Sequence, residues 1–131
     1  MTPFVLVISA RRRKLVRASA IQEIVSLMAL TPIDGAPGSC RGLANLRGET
    51  IPVFDPEGRD ALLSPSRFIL VARVDGAPVG LLVDDVHEVV VVPRDWLAAV
   101  PIGGGASVEA VRLGEDLVTV LDPADVVRHA S

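Results

Sequence analysis

Apolar runs of Val, Leu and Ile recur along the chain, broken by turn residues roughly every eight to twelve positions, a spacing that predicts an all-β barrel or sandwich. The runs predicted as strands are Phe4–Ser9, Lys14–Ala18, Thr50–Phe54, Arg67–Val74, Val79–Asp84, Val86–Val92, Val108–Leu113 and Leu117–Leu121. Two connections read as hairpins. Asp75-Gly76-Ala77-Pro78 contains the Asp-Gly pair that tolerates positive φ, and Gly114-Glu115-Asp116 is of the same kind. Pro52 cannot donate to a ladder, so the strand over Thr50–Phe54 is expected to have an edge there.

Two helices interrupt this pattern. Ser19-Ala20-Ile21-Gln22 has the form of a capping box, and Ile21, Ile24, Val25 and Met28 follow at helical spacing. A second, short helix is predicted over Ala124–His129, with Asp122 as its cap and Pro123 in its first position. Between the first helix and the next strand, Thr31–Arg41 reads as a loop rich in Pro and Gly. One internal echo is visible: Gly48-Glu49-Thr50-Ile51-Pro52-Val53-Phe54-Asp55-Pro56 resembles the segment from Gly114 to Pro123, each a turn, a strand and an Asp-Pro stop. Two similar small barrels would explain it, and so would turn grammar alone, which is the simpler account.

Length and composition narrow the class. A chain of 131 residues fits one domain or two small subdomains and buries roughly 65% of its unfolded surface. At 50% hydrophobic and 22% charged, it is neither a disordered tail nor a coiled coil. A single cysteine, Cys40, excludes a disulfide framework and a Cys-rich zinc module. The net charge of −3 supplies no field to attract nucleic acid or an anionic membrane. Phe4–Ile8, Ile69–Ala72 and Val79–Val83 fall far short of the ~20 residues a membrane helix needs. The charges of Arg11–Lys14 follow the first apolar run, the reverse of a secretory signal. The chain is therefore read as soluble and cytoplasmic, without direct membrane insertion.

Candidate chemistry is sparse. His87 lies inside a predicted strand and His129 near the C-terminus, and neither has a partner at zinc-site spacing. Asp84 and Asp85 are adjacent, with Glu88 and Asp55 as possible company for a divalent cation, but neighbours on a strand point to opposite faces. A strand-ending turn is the stronger role for the pair. Gly103-Gly104-Gly105 lacks the Lys-Ser/Thr of a phosphate loop and reads as a flexible connection. The Arg11–Lys14 run has no aromatic residues beside it to stack bases, which favours a solvated hairpin turn. Arg47, between Leu46 and Gly48 just before a strand, offers a planar fork for a partner's carboxylate; an internal salt bridge is the bland alternative.

Five segments occur in order: Ile21-Gln22-Glu23-Ile24; Gly42-Leu43-Ala44-Asn45-Leu46-Arg47-Gly48; Ile51-Pro52-Val53-Phe54-Asp55; Val79-Gly80-Leu81-Leu82-Val83-Asp84-Asp85-Val86; and Val118-Thr119-Val120-Leu121-Asp122. Together they resemble the CheW-like family, the coupling proteins of bacterial chemotaxis, from about Phe4 to Val127. The resemblance implies a mostly β fold, with residues 1–131 as a single CheW-like domain of two intertwined, SH3-like, five-stranded barrels and one or two short helices. It implies a non-catalytic scaffold that needs no cofactor or metal. Its partners would be the cytoplasmic tip of a methyl-accepting chemoreceptor and the regulatory domain of a histidine kinase, with no nucleic acid. Carried over by motif, the partner-binding residues are Ile21, Glu23, Gly42, Arg47, Gly48, Val83 and Val86. Arg47 and Glu23 would fix the partner's register or pair with each other. The competing readings are a small β-barrel that binds a metal through Asp55, Asp84, Asp85 and Glu88, or one that binds nucleic acid.

Overall fold

The computed structural model describes residues 1–58 and 66–130, among which the chain forms eleven strands and one α-helix. β1 (Thr2–Ser9) and β2 (Arg12–Arg17) open the chain. β3 (Ile21–Ser26), β4 (Cys40–Leu46), β5 (Glu49–Phe54), β6 (Phe68–Val74) and β7 (Ala77–Val83) follow. Last come β8 (Asp85–Val92), β9 (Leu97–Gly103), β10 (Ala106–Leu113), β11 (Asp116–Val120) and α1 (Pro123–Arg128). The first sheet has six strands in the order β8-β1-β2-β11-β10-β9, and the second has five in the order β3-β6-β7-β5-β4. The chain thus leaves the first sheet after β2, builds the whole second sheet and returns. The first sheet has one strand more than the five that the resemblance implies, and its edge strand β9, LAAVPIG, is one the hydrophobic pattern did not predict.

Alternation along the strands sorts the apolar residues into three cores. Phe4 and Leu6 of β1 join Leu15, Val92, Val111 and Val118 inside the first sheet. Ile69 and Val71 of β6 join Ala44, Ile51, Val53 and Leu82 inside the second. The intervening residues of the same strands face the other way. Val5, Val7 and Val16 meet Phe54, Leu70, Ala72, Val79, Leu81 and Val83 in a seam between the sheets. β1, β6 and β7 are therefore buried on both faces, which is why their sequences are continuous apolar runs.

The helix expected after Ser19 is instead a 3-10 turn, Ala18–Ala20, followed by β3. Ser19 caps nothing, because the turn has no side-chain cap. Ile21, Ile24 and Val25 are β-branched, and an open edge of β6 is available to pair with them antiparallel. Helical spacing in a segment this short was outweighed by that tertiary pairing. The predicted loop holds over residues 32–39, and only its two ends pair. Cys40 and Arg41 open β4, a strand the hydrophobic pattern did not predict, and beyond β3 the Thr31 N–H donates to the Leu43 carbonyl while the Leu43 N–H donates to Thr31, each at 2.8 Å. This isolated bridge links the continuation of one edge strand, β3, to the other, β4, an arrangement consistent with an SH3-like subdomain.

Other expectations match the turns. Asp75 and Gly76 both take positive φ between the paired residues Val74 and Ala77, and Gly114 does so between Leu113 and Asp116. All three glycines at 103–105 have positive φ, where β9 turns into β10. Asp122 accepts the Ala124 N–H at 3.0 Å with Pro123 in the first turn of α1. β5 is flanked by β4 along its length, but its ladder with β7 begins only at Val53, leaving Pro52 outside it. The two echoed segments occupy equivalent places. β5 and β11 each follow a hairpin and each lie parallel to a second neighbour, β7 and β2 respectively. The echo thus reflects repeated architecture, beyond turn grammar alone.

Candidate partner-binding site

The motif around Arg47 is a turn before it is a site. Leu46 pairs with Glu49, so Arg47 and Gly48 are the two central residues of the β4–β5 hairpin. Their φ values, 51° and 84°, are the pattern of a type I′ turn, which Gly48 meets without strain. Asn45 supports the turn by accepting the Gly48 N–H at 2.9 Å. The Asn-Leu-Arg-Gly order thus has a mechanical explanation: a side-chain acceptor, a left-handed arginine and a glycine. Sequence reasoning did not assign Asn45 this role, although an Asn three residues before a turn glycine was its signal.

The turn aims Arg47 at the other edge of the sheet. Its side chain, still 69% exposed, forms an ion pair through the guanidinium with Glu23 of β3, whose side chain is 29% exposed. Hydrogen bonding and charge from Glu23 raise the arginine's pKa further above its ordinary value. β3 and β4 are the outermost strands of this sheet, so the pair links its two edges, on the same side as the Thr31–Leu43 bridge. Gly42 lies beside that bridge. Its φ is 132°, and a Cβ there would sit 2.5 Å from the Thr31 carbonyl oxygen, so the closing bridge requires glycine.

The remaining residues cluster at the seam. Ile21 and Val86 are half-buried and pack on the inter-sheet core, while Val83 is completely buried within it. Val83 can therefore shape a partner surface only from beneath. Beside Ile21 opens a surface hollow lined by Ser19, Ala20, Gln22 and Arg73. The structure thus divides the predicted set into an apolar group at the seam (Ile21, Val83, Val86) and a polar group at the linked edges (Glu23, Gly42, Arg47, Gly48), joined along β3.

The residues of the competing readings are occupied locally. Asp84 is buried and accepts the Ala10 N–H at 3.0 Å, holding the β1–β2 turn, while Asp85 accepts the Val86 N–H at 2.9 Å and lies 3.3 Å from exposed His87. Asp55 is buried and accepts the Glu57 N–H at 3.0 Å. Among the described residues no three His, Cys, Asp or Glu side chains gather to hold a metal ion. In the basic run, Arg13 pairs with Asp116 at 2.7 Å and Lys14 donates to Thr119 at 2.9 Å.

The profile of the CheW-like domain matches residues 3–131. The chain belongs to the CheW-like family. Among its relatives is the chemotaxis protein CheW of Rhizobium meliloti, 35% identical over 81 residues, which are 59% of this chain and 52% of that protein. The chemotaxis protein CheW of Treponema pallidum is 27% identical over 115 residues, 78% of this chain and 68% of that protein. The match thus spans about half the length of the first relative and about two thirds of the second. The fold is shared with the scaffolding protein TtCheW of Thermoanaerobacter tengcongensis, with a TM-score of 0.82, 23% identity, and coverage of 95% of this chain and 86% of that one. The two-sheet, SH3-like arrangement is therefore that of the CheW-like family.

Proposed function

We propose that this chain is a non-catalytic scaffold that couples the cytoplasmic tip of a chemoreceptor to the regulatory domain of a histidine kinase. It would act in the cytoplasm, recruited to receptor arrays at the membrane, as a single domain built from both barrels. Membership of the CheW-like family supports this reading. The single geometric observation behind the site assignment is Arg47, held by a strained turn on an open rim and aligned by Glu23 rather than hidden by it.

A receptor tip is helical, and a helix docks by laying an apolar stripe into a groove. Ile21 and Val86 supply that groove at the seam, with Val83 as its floor, and Gly42 and Gly48 hold the backbone geometry that presents the rim. Arg47 meets a carboxylate on the partner and fixes its register.

The test is a pull-down of receptor fragment and kinase regulatory domain by the purified chain, with Arg47→Ala in parallel. Arg47→Ala keeps the circular dichroism spectrum and melting transition of the parent and weakens partner binding roughly 30-fold, the scale of a hot-spot truncation. Capture of neither partner by the parent chain would sink the scaffold reading, and an unfolded Arg47→Ala would make Arg47 structural.

A further inference from the structure

Where β4 begins, three side-chain donors lie inside the protein with nothing to donate to. Ser39 Oγ and two nitrogens of Arg41, Nε and Nη2, are buried and have no hydrogen-bond partner among the described residues. Nor does Arg41 have an ion pair among them. A buried donor without an acceptor gives up its water and gains nothing in return, at a higher cost when it belongs to a cation. The backbone explains why Arg41 turns aside here. Cys40 pairs with Phe54 and Gly42 with Val53, so Arg41 is the extra residue of a bulge, a device that redirects a side chain. Its guanidinium folds back on the loop that enters β4, where Nη1 donates to the Gly38 carbonyl at 3.2 Å. Nε and Nη2 form the remaining edge of the fork, and that edge matches the two oxygens of a planar anion.

Gly38 and Ser39 line a hollow of about 380 Å³, closed on its other sides by Pro56 and Glu57 from the turn after β5 and by Val126 of α1. These walls select the anion. Glu57 sets a carboxylate on the rim, which repels a doubly charged phosphate more than a singly charged ligand. Pro56 and Val126 add an apolar wall suited to a short aliphatic body.

We propose that this hollow binds a small aliphatic monocarboxylate, held by the Nε–Nη2 edge of Arg41 and by the Ser39 hydroxyl. The donors have almost no contact with solvent as they stand, so binding includes a turn of both side chains into the hollow. Sodium propionate, titrated through the millimolar range into the full chain, gives saturable shifts of the Arg41 Nε–H resonance and of the Ser39 and Gly58 amides. The dissociation constant is roughly 1 mM, within reach of so small a ligand. Sodium chloride at equal ionic strength moves none of these signals, and inorganic phosphate binds roughly tenfold more weakly than propionate. Arg41→Lys keeps the charge but loses the fork, and weakens propionate roughly tenfold. Ser39→Ala removes only the hydroxyl and weakens it roughly fivefold, a test independent of any folding defect in Arg41→Lys. Glu57→Gln narrows the gap between phosphate and propionate. Shifts no larger than those with chloride overturn the proposal. So does propionate binding that is unchanged in Ser39→Ala and in Arg41→Lys, or phosphate that binds the parent chain as tightly as propionate.

Discussion

The outer face of the first sheet has two ends, built from the same alternating strands and treated in opposite ways. At the β1–β2 end, Val5, Val7 and Val16 are covered by the second sheet and merge with six of its residues in the seam. At the β9–β11 end, Trp96, Val100, Ile102 and Leu117 remain exposed. Residue type does not separate the ends, since both are apolar. The difference comes from the chain path: after β2 the chain builds the second sheet against one end, and after β8 it completes the other, which no described strand of the second sheet covers. An apolar residue is thus a core residue at one end and an exposed one at the other.

Charge insertion breaks this comparison most sharply. Val83→Asp places a carboxylate in the seam with no partner and costs more than about 4 kcal/mol, enough to abolish a cooperative thermal transition. Leu117→Asp, on the exposed face, changes stability by less than about 0.5 kcal/mol in the same thermal unfolding experiment. Equal losses at the two positions would show that the β9–β11 face is buried in the solution state.

A glycine substitution sharpens the picture of how the second sheet closes. Gly42→Ala forces a Cβ into the Thr31 carbonyl at a φ that L-residues avoid, and destabilises by about 2–3 kcal/mol. Hydrogen exchange at the Thr31 and Leu43 amides should rise in this variant before exchange at β6 and β7 does. Unchanged protection at those two amides would mean that the bridge is not what holds the edges together.

The smallest effect belongs to an ion pair that joins β2 to β10 across β11. There Arg17 sits 5.4 Å above the ring of Phe4 and forms two hydrogen bonds with Glu109, at 2.8 and 2.9 Å. The bond to Arg17 is the main reason that Glu109 titrates below the ordinary glutamate value. A carboxylate with a depressed folded-state pKa stabilises at pH above its unfolded value, and loses that contribution as pH falls through the folded one. Both side chains are more than a third exposed, so solvent discounts the pair to a few tenths of a kcal/mol, about 0.2–0.5. Glu109→Gln should lower the melting temperature slightly at neutral pH and match the parent once the pH is well below the glutamate range. A constant gap across that range would remove the ion pair from the explanation.

Much of this was legible along the chain. Asp122-Pro123 marked the start of α1, and Asp75-Gly76 marked a hairpin, because a cap or a left-handed turn depends on residues next to one another. The five ordered motifs identified the family for a related reason: Asn45, Arg47 and Gly48 each serve one two-residue turn, so their spacing is fixed. Three things could not be read this way. Ile21–Ser26 became a strand because β6 offered it a partner, a contact some fifty residues away in sequence that local spacing cannot register. β9 escaped notice because its alanines and proline carry little strand preference, and only its pairing with β10 makes it one. The meeting of Glu23 with Arg47 was open to the sequence as a possibility, but it was decided by the curl that brings the two edges of the second sheet together. Local backbone chemistry belongs to the sequence; which apolar face is covered, and which charges meet across an edge, belongs to the way the two sheets close and stack.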